Sequence, residues 1–421
     1  MEKEYKVVFG LEPLKQDKSI INVENEEEFI EWYFKNKNVL TQAKIKFETK
    51  LEHITLDSIN SLYQFLKFYQ KTKKECDNYM LKYNEKLLKV KEHPEISKAL
   101  NELVRMNDGG KFLRASLIAL GYKTAGKKDN KYLSLAIALE IFQTSILIHD
   151  DIIDNDVIRR GKPTIPEAYK NYYSKPLKTN KEFKEKLNNI GNSMAICIGD
   201  LGFYIANGII IDAYKNEENL GKILEYYNEM VIKTCKGEML DVILPFTEYY
   251  FSHDKNLNKK IMEIYKLKTA WYTVIGPFCL GLILSGTSKE QIKRLEKILL
   301  SAGTAFQIKD DLLGIYGNQK LTGKPNTSDA EEFKQTILYS YVMKTKYKDE
   351  LLKYYGKKNL TEKEIKKIIN IFDDSGAKAY SKKIMNDLFQ ESLNAIEKED
   401  INKKYKDILK GFIIYLRHRS K

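Results

Sequence analysis

Punctuation is scarce in this chain. It has 8 Pro and 22 Gly in 421 residues, too few breakers for a fold of many short strands, and this favours long helices. Cysteine is scarcer still. Cys76, Cys197, Cys235 and Cys279 lie far apart with no CxxC spacing. That pattern argues against a zinc site or a disulfide frame and reads as free thiols in a reducing compartment, so a cytoplasmic location is expected. The opening stretch, MEKEYKVVFG, has no long apolar core, and no secretory leader is expected. Internal repeats, low-complexity tracts and a phosphate loop of the GxxxxGK[ST] type are all missing. One uncharged run, Thr269 to Thr287, approaches membrane-spanning length. Gly276-Pro277 interrupts it and Lys268 enters it, so a buried helix is expected there and no transmembrane span.

Positive charge is present in excess, with 71 Lys and Arg against 58 Asp and Glu, a net +13. Such a balance alone suggests polyanionic partners. The lysines are scattered among glutamates, however, and no Arg/aromatic recognition block stands out, so nucleic acid is not expected. Residues 1–70 read differently from the rest. Lys44 to Leu56, KIKFETKLEHITL, alternates apolar and polar residues as a strand does, with Tyr5 to Phe9 as a candidate partner. From about Ser58 the pattern turns helical. The expected organisation is a small N-terminal accessory extension over 1–70 and an all-α body over 71–421. Within that body, Asn107-Asp108-Gly109-Gly110 signals a turn that places Lys111 and Arg114 in the first turn of the next helix. The free N–H groups of a helix start favour anions. Ser174 to Asn192 is polar and reads as a loop or short helix.

Two aspartate pairs on apolar, helix-like runs are the strongest signal. The first lies in ILIHDDIIDNDVIRRG, from Ile146 to Gly161, and the second in FQIKDDLLGIYG, from Phe306 to Gly317. Asp150 and Asp154 are four apart and share a helix face. Carboxylates on an apolar helix are costly to bury unpaired. Two such clusters facing each other make a hard-oxygen cage for Mg²⁺, a cation that shares its shell with substrate phosphates. A single pair would read as a solvated helix face; two pairs with arginines beside them do not.

These residues resemble the trans-type polyprenyl diphosphate synthases, and among them most the geranylgeranyl diphosphate synthases. That family carries DDxxD followed by RRG, here Asp150-Asp151-Ile152-Ile153-Asp154 and then Arg159-Arg160-Gly161. Its upstream GGKxxR appears as Gly109 to Arg114, its KT pair as Lys268-Thr269, and its second motif as Phe306-Gln307 with Asp310-Asp311. Lys324, Asp329 and Lys334 follow in a GKP…D…K pattern. The ordered set spans about Asp77 to Lys421.

The resemblance implies a single large helical bundle of the isoprenoid synthase type around a central cavity, a homodimer, and peripheral membrane contact at most. It implies a prenyltransferase that condenses isopentenyl diphosphate with dimethylallyl, geranyl or farnesyl diphosphate. Asp150, Asp154 and Asp310 would hold Mg²⁺, supported by Asp151 and Asp311. Arg159, Lys268, Thr269, Gln307, Lys324 and Lys334 would bind the allylic diphosphate. Lys111, Arg114, Arg160 and Gln143 would bind isopentenyl diphosphate. Short-product relatives carry aromatic residues four and five positions before the first Asp; Ile146 and Ser145 stand there, which implies an open floor. Phe142, a turn deeper, is the candidate next floor for a twenty-carbon product.

The chain departs from the family's motifs in three places. Gly314 replaces the last Asp of the second motif, and Phe112 stands at the middle arginine of GGKRxR. Glu238 replaces the glutamine of GQxxD, with Asp241 completing that motif. A basic tail, Arg417 to Lys421, closes over the site in some relatives or else is solvated. A longer-chain synthase and a class I terpene cyclase remain as alternatives. The cyclase metal motif NDxxSxxxE would begin at Asn386-Asp387, but Gln390 and Asn394 stand at its serine and glutamate. A regulatory subunit on the same fold would have lost motif residues, and most are intact.

Overall fold

Helix follows helix from Leu56 onward in the computed structural model, which describes residues 5–9, 20–23, 45–48, 56–90, 93–174, 181–251, 256–317 and 328–418. Before them lie three short strands: β1 (Tyr5–Phe9), β2 (Ile20–Val23) and β3 (Ile45–Glu48). They form a parallel sheet in the order β2-β1-β3, with Val7 opposite Phe47. The expected pairing of 5–9 with the alternating segment is therefore met over 45–48.

The first helices are α1 (Leu56–Leu88), α2 (Pro94–Asn107), α3 (Leu113–Thr124) and α4 (Tyr132–Ile153). A tight antiparallel pair, β4 (Ile158–Arg159) and β5 (Lys162–Pro163), leads to α5 (Ile165–Ser174), α6 (Lys181–Tyr214) and α7 (Leu220–Phe251). Next come α8 (Leu257–Ile264), a π-helical segment (Tyr265–Ile275) and α9 (Gly276–Leu284), run together without a break. Then follow α10 (Lys289–Tyr316) and the short helices α11 (Ser328–Glu331), α12 (Ile337–Val342) and α13 (Lys348–Leu351). The chain ends on α14 (Glu362–Asp374), α15 (Ala377–Glu397) and α16 (Lys403–His418). Sequence sets these ends. Ser288 caps α10 by accepting from the Gln291 amide, and Thr361 with Glu364 forms a capping box on α14.

Two expectations need correction. The division at residue 70 falls inside α1. Phe65 is buried and its ring meets Phe412 at 5.5 Å and Tyr415 at 5.4 Å, so α1 packs on α16 and the helical body begins at Leu56. The polar stretch read as a loop or short helix is, from Lys181, the start of the long helix α6, anchored by buried Leu187.

The bundle is built by α4 on α6, α3 on α9, α10 on α15, and the π segment wedged between α7 and α10. Glycine sets the close crossing of α3 and α9. A Cβ on Gly121 of α3 would lie 2.0 Å from the Phe278 carbonyl oxygen, and one on Gly281 of α9 2.1 Å from that of Ile118. Backbone cannot yield as a side-chain tip can. Gly121→Ala is expected to cost about 3 kcal/mol by overpacking. Gly208→Ala on α6, where a Cβ meets nothing within 4 Å, should be neutral or gain up to about 1 kcal/mol from helix propensity. Urea midpoints of the two variants test this, and equal midpoints would refute it.

Among the described residues, three helices are long and apolar enough to cross a membrane by length and composition. Tyr132–Ile153 and Leu257–Leu284 have 72% and 78% of that window buried in the bundle, against 39% for Glu185–Tyr214. The run Thr269 to Thr287 is thus mostly interior, as expected, and α6 keeps an open apolar face.

Candidate active site

The C-terminal end of α4 brings the first carboxylates into place. Asp151 turns inward, fully shielded, and accepts from Arg159 of β4, which also reaches Asp156 at 3.0 Å. That pairing folds the chain back as the β4–β5 hairpin, with Asn155, Arg160 and Gly161 at positive φ. Asp150 and Asp154 stand half-buried on the other side of the helix.

A second wall comes from α7 and the π segment. A Cβ on Gly237 would lie 2.2 Å from the Lys268 backbone nitrogen, so the two elements touch there. The contact sets Lys268 Nζ 2.9 Å from Glu238 and 2.6 Å from Asp241. Burial opposes the Lys268 charge, but Asp241 and Glu238 outweigh it and hold its pKa above the ordinary lysine value. The π register sends successive side chains to different helices. Lys268 meets α7, Thr269 donates to Gln307 Oε1 of α10 at 2.5 Å, and Tyr265 donates to Asp311 Oδ2. Gln307 also donates to Asp311 Oδ1 at 2.9 Å. Asp311 is therefore buried and held by Tyr265 and Gln307, and does not face the cleft as a ligand would. The Tyr265 hydroxyl in turn accepts from the Ile337 amide at the start of α12.

Lys334 joins these walls. Asp329 chiefly raises its pKa far above the ordinary value, against burial, with Asp241, Asp311 and Asp154 adding to the field. Asp154, Glu238, Asp241, Lys268 and Lys334 line one cleft of about 570 Å³, together with Phe333 and Tyr355. Lys324 lies outside the described residues. Among the described residues no three His, Cys, Asp or Glu side chains converge as a closed metal site. The donors are hard carboxylate oxygens spread over facing walls, which fits a cation completed by phosphate oxygens. Burial, then Glu238 and Asp154, push the Asp150 carboxyl up to about 7, a repulsion that a divalent cation would relieve.

Asp311 is likewise pushed up to about 7, by burial and then Asp329, against Lys334. An acid with a folded pKa above its unfolded one holds its proton more tightly in the fold. The unfolded chain ionises first, so stability of the ligand-free protein should fall as pH rises from about 4 through about 7. Denaturant titrations at pH 5 and 8 test this. Asp150→Asn should flatten the slope, and an unchanged slope in that variant would refute the assignment.

A second cationic group surrounds the start of α3. Phe112 caps it at φ 53° and is buried, so it serves the core and forces the turn. Lys111 precedes the helix instead of lying in its first turn; its carbonyl accepts from Tyr69 at 2.5 Å. Arg114 is in that turn, bonded to Thr273 at 2.8 Å and lying over the Tyr272 ring at 4.3 Å. Arg160 reaches across from the hairpin to the carbonyls of Met106 and Asp108, both at 3.1 Å. Gln143 Oε1 is buried without a hydrogen-bond partner.

Sequence reading missed Glu140. It is buried on α4, its carboxylate accepts from the Ala115 amide at 3.0 Å, and Arg114 and Arg160 offset the burial that raises its pKa. Its signal was available, as the one acid in the run YLSLAIALEIFQTSIL. Tyr265 was missed too, and one tyrosine among 28 carries no such signal.

The three positions expected to set product length differ from one another in the structure. Phe142 is buried, 5.3 Å from the Phe203 ring of α6 and 5.6 Å from Tyr227 of α7. Ser145, expected to open the floor, is instead sealed at the α4–α6 crossing. Its hydroxyl bonds the Ile141 carbonyl, and a Cβ on Gly202 would lie 2.1 Å from Ser145 Oγ. A large residue there would force α4 and α6 apart, so Ser145 reads as a packing position. Ile146 is half-buried. One other expectation also changes. Arg417 is buried and bonded to Asn386 at 3.1 Å, so it closes over nothing; residues 419–421 are outside the described set. Gln390 bonds Asn394 on the exposed face of α15, so the cyclase-like stretch makes no metal site.

Comparison with known proteins agrees with this geometry. The family model "Polyprenyl synthetase" matches residues 93–372. A short chain isoprenyl diphosphate synthase of Methanocaldococcus jannaschii is 30% identical over 237 residues, covering 56% of this chain and 63% of that protein. The geranylfarnesyl diphosphate synthase of Aeropyrum pernix is 28% identical over 278 residues, covering 65% and 78%. In fold, a Corynebacterium glutamicum geranylgeranyl pyrophosphate synthase, solved with isoprenyl diphosphate and magnesium, superposes with a TM-score of 0.69 over 87% of this chain and 100% of that one, at 23% identity. Matched over most of its helical body and built on the same all-α architecture, the chain belongs to the polyprenyl synthetase family of prenyltransferases.

Proposed function

We propose that this prenyltransferase condenses isopentenyl diphosphate with an allylic diphosphate to give a longer all-trans prenyl diphosphate, with geranylgeranyl diphosphate as main product. The reading rests on one observation above all: there are two separate cationic groups, Lys268 and Lys334 lining the acidic cleft and Arg114 and Arg160 gathered at the head of α3. A cyclase has use for only one of them.

In this reading Asp150, Asp154 and Asp310 hold Mg²⁺, which when bound neutralises the leaving diphosphate as a Lewis acid. Lys268 and Lys334 stand where negative charge gathers on the departing group. Neither gives up its proton, because the acids around both raise their pKa. Lys268 must exchange Glu238 and Asp241 for phosphate oxygens, so it is held ready and not idle. Arg114 and Arg160 hold the second diphosphate through forked contacts that lysine cannot copy. Glu140 keeps both guanidinium groups at the head of α3. Incubating the protein with isopentenyl diphosphate and each allylic diphosphate, with and without Mg²⁺, followed by product chromatography, tests the reading. Cyclised hydrocarbons, or no product from any pair, would refute it.

Chain length rests on Phe142. Together with Phe203 and Tyr227 it makes an aromatic plug across α4, α6 and α7. Phe142→Ala should lengthen the main product by at least one isoprene unit and cost about 3 kcal/mol of stability. An unchanged product from a folded variant would assign Phe142 to core packing alone. A wild-type product of thirty carbons or more would remove the floor altogether.

We also propose a cytoplasmic homodimer with at most peripheral membrane contact. Adjacent helices α6 and α7 expose Ile196, Tyr204, Ile211, Ile232 and Met239, a face that a second copy would cover. Light scattering of detergent-free protein tests this. A monomer, or material that stays in solution only with detergent, would refute it.

A further inference from the structure

The second motif breaks at Gly314, and the structure assigns what fills the break. Asp310 and Gly314 are four apart on α10 and share one face. A Cβ built on Gly314 would lie 2.4 Å from Asp329 Oδ2 and 3.2 Å from its Cγ. The carboxylate of Asp329 therefore sits over the helix face beside Asp310, in the space a side chain at 314 would enter. We propose that Asp329 supplies from α11 the carboxylate that α10 lacks, and completes the second acidic wall for the divalent cation. This rests on the prenyltransferase reading above.

Three features support the assignment. First, the two positions are exclusive: any side chain at 314 must push Asp329 aside, so glycine is what lets the carboxylate approach. Second, Asp329 is fixed in place. Its carbonyl accepts from the Lys334 amide at 2.9 Å, and α11 packs on α10. Third, its ion pair with Lys334 is long, Oδ1 to Nζ at 3.7 Å. That is beyond hydrogen-bond length, so the pair orients Oδ1 while Oδ2 points over Gly314. Asp329 thus works as a metal-positioning residue and not merely as the counter-ion of Lys334.

Mn²⁺ binding to the full chain, with inorganic diphosphate present, tests this by calorimetry and by the Mn²⁺ spin-resonance signal. Asp329→Asn keeps size and should weaken Mn²⁺ by about 10-fold or more, as loss of a metal-supporting group does. Asp329→Ala should do the same. Adding Gly314→Asp to Asp329→Ala should bring Mn²⁺ affinity back toward wild type, because the new carboxylate enters the vacated space. Gly314→Asp alone should weaken binding, since two carboxylates contend for one place. Circular dichroism and melting confirm that each variant is folded. Mn²⁺ affinity within twofold of wild type in Asp329→Asn, or no recovery in the double variant, would overturn the inference. Wild-type protein that binds neither Mn²⁺ nor diphosphate would overturn the prenyltransferase reading with it.

Discussion

Asp150→Ala should remove prenyl transfer while leaving the protein at least as stable as before at pH 8. The two effects have one cause. Asp150 is held near neutral pKa by burial, Glu238 and Asp154, so ionising it costs the ligand-free fold on the order of a few kcal/mol. In the proposed reading that cost is tolerated because the carboxylate serves a cation. Loss of a metal ligand forfeits Lewis-acid help worth several kcal/mol, so turnover should fall by about a thousandfold or more. The substitution removes no core volume. Melting curves and product assays at pH 8, with and without Mg²⁺, measure both effects. In wild type Mg²⁺ with diphosphate should raise the melting temperature, and in the variant it should raise it much less. A variant that is inactive and also unfolded would mean that Asp150 is structural. Near-normal turnover would remove it from the metal site.

The helical body could be read directly, because apolar periodicity and sparse breakers act locally. Motif order then named Asp150, Asp154, Arg159, Lys268 and Asp311, which lie on elements that converge in the fold. What escaped was what tertiary contact decides. Ser145 looked open because a small residue sits where relatives are bulky, yet α6 passes so close at Gly202 that no space is left beside it. Tyr265 supports Asp311 only because the π segment turns it toward α10. Phe112 looked like a lost arginine and is a buried residue at positive φ. Gly314 looked like a missing carboxylate until α11 brought one alongside. Glu140 is the exception: a lone acid in an apolar helix demands a partner on physical grounds, and the α3 amide with two arginines answers that demand.

Removing the Lys268 charge should be damaging in a way that Asp150→Ala is not. Lys268 is the cation between Glu238, Asp241 and Asp150, at 2.9 and 2.6 Å from the first two. Lys268→Ala leaves those half-buried carboxylates facing one another across the cleft, and the loss should cost less than the roughly 3 to 5 kcal/mol of a fully buried pair, about 1 to 3 kcal/mol. Activity should fall as well, by about a hundredfold to a thousandfold, the scale for losing one donor to developing charge. That loss should appear in kcat and in the allylic KM, with the isopentenyl diphosphate KM little changed. Arg114→Ala, in the other pocket, should show the reverse split. Glu238→Gln separates the two roles of Lys268. Added to Lys268→Ala, it removes one uncompensated charge, so it should recover much of the lost stability and none of the lost turnover. Equal effects of Lys268→Ala and Arg114→Ala on both Michaelis constants would mean that the pockets are assigned wrongly. Recovery of turnover with stability in the double variant would mean that Lys268 serves the fold and never meets the diphosphate.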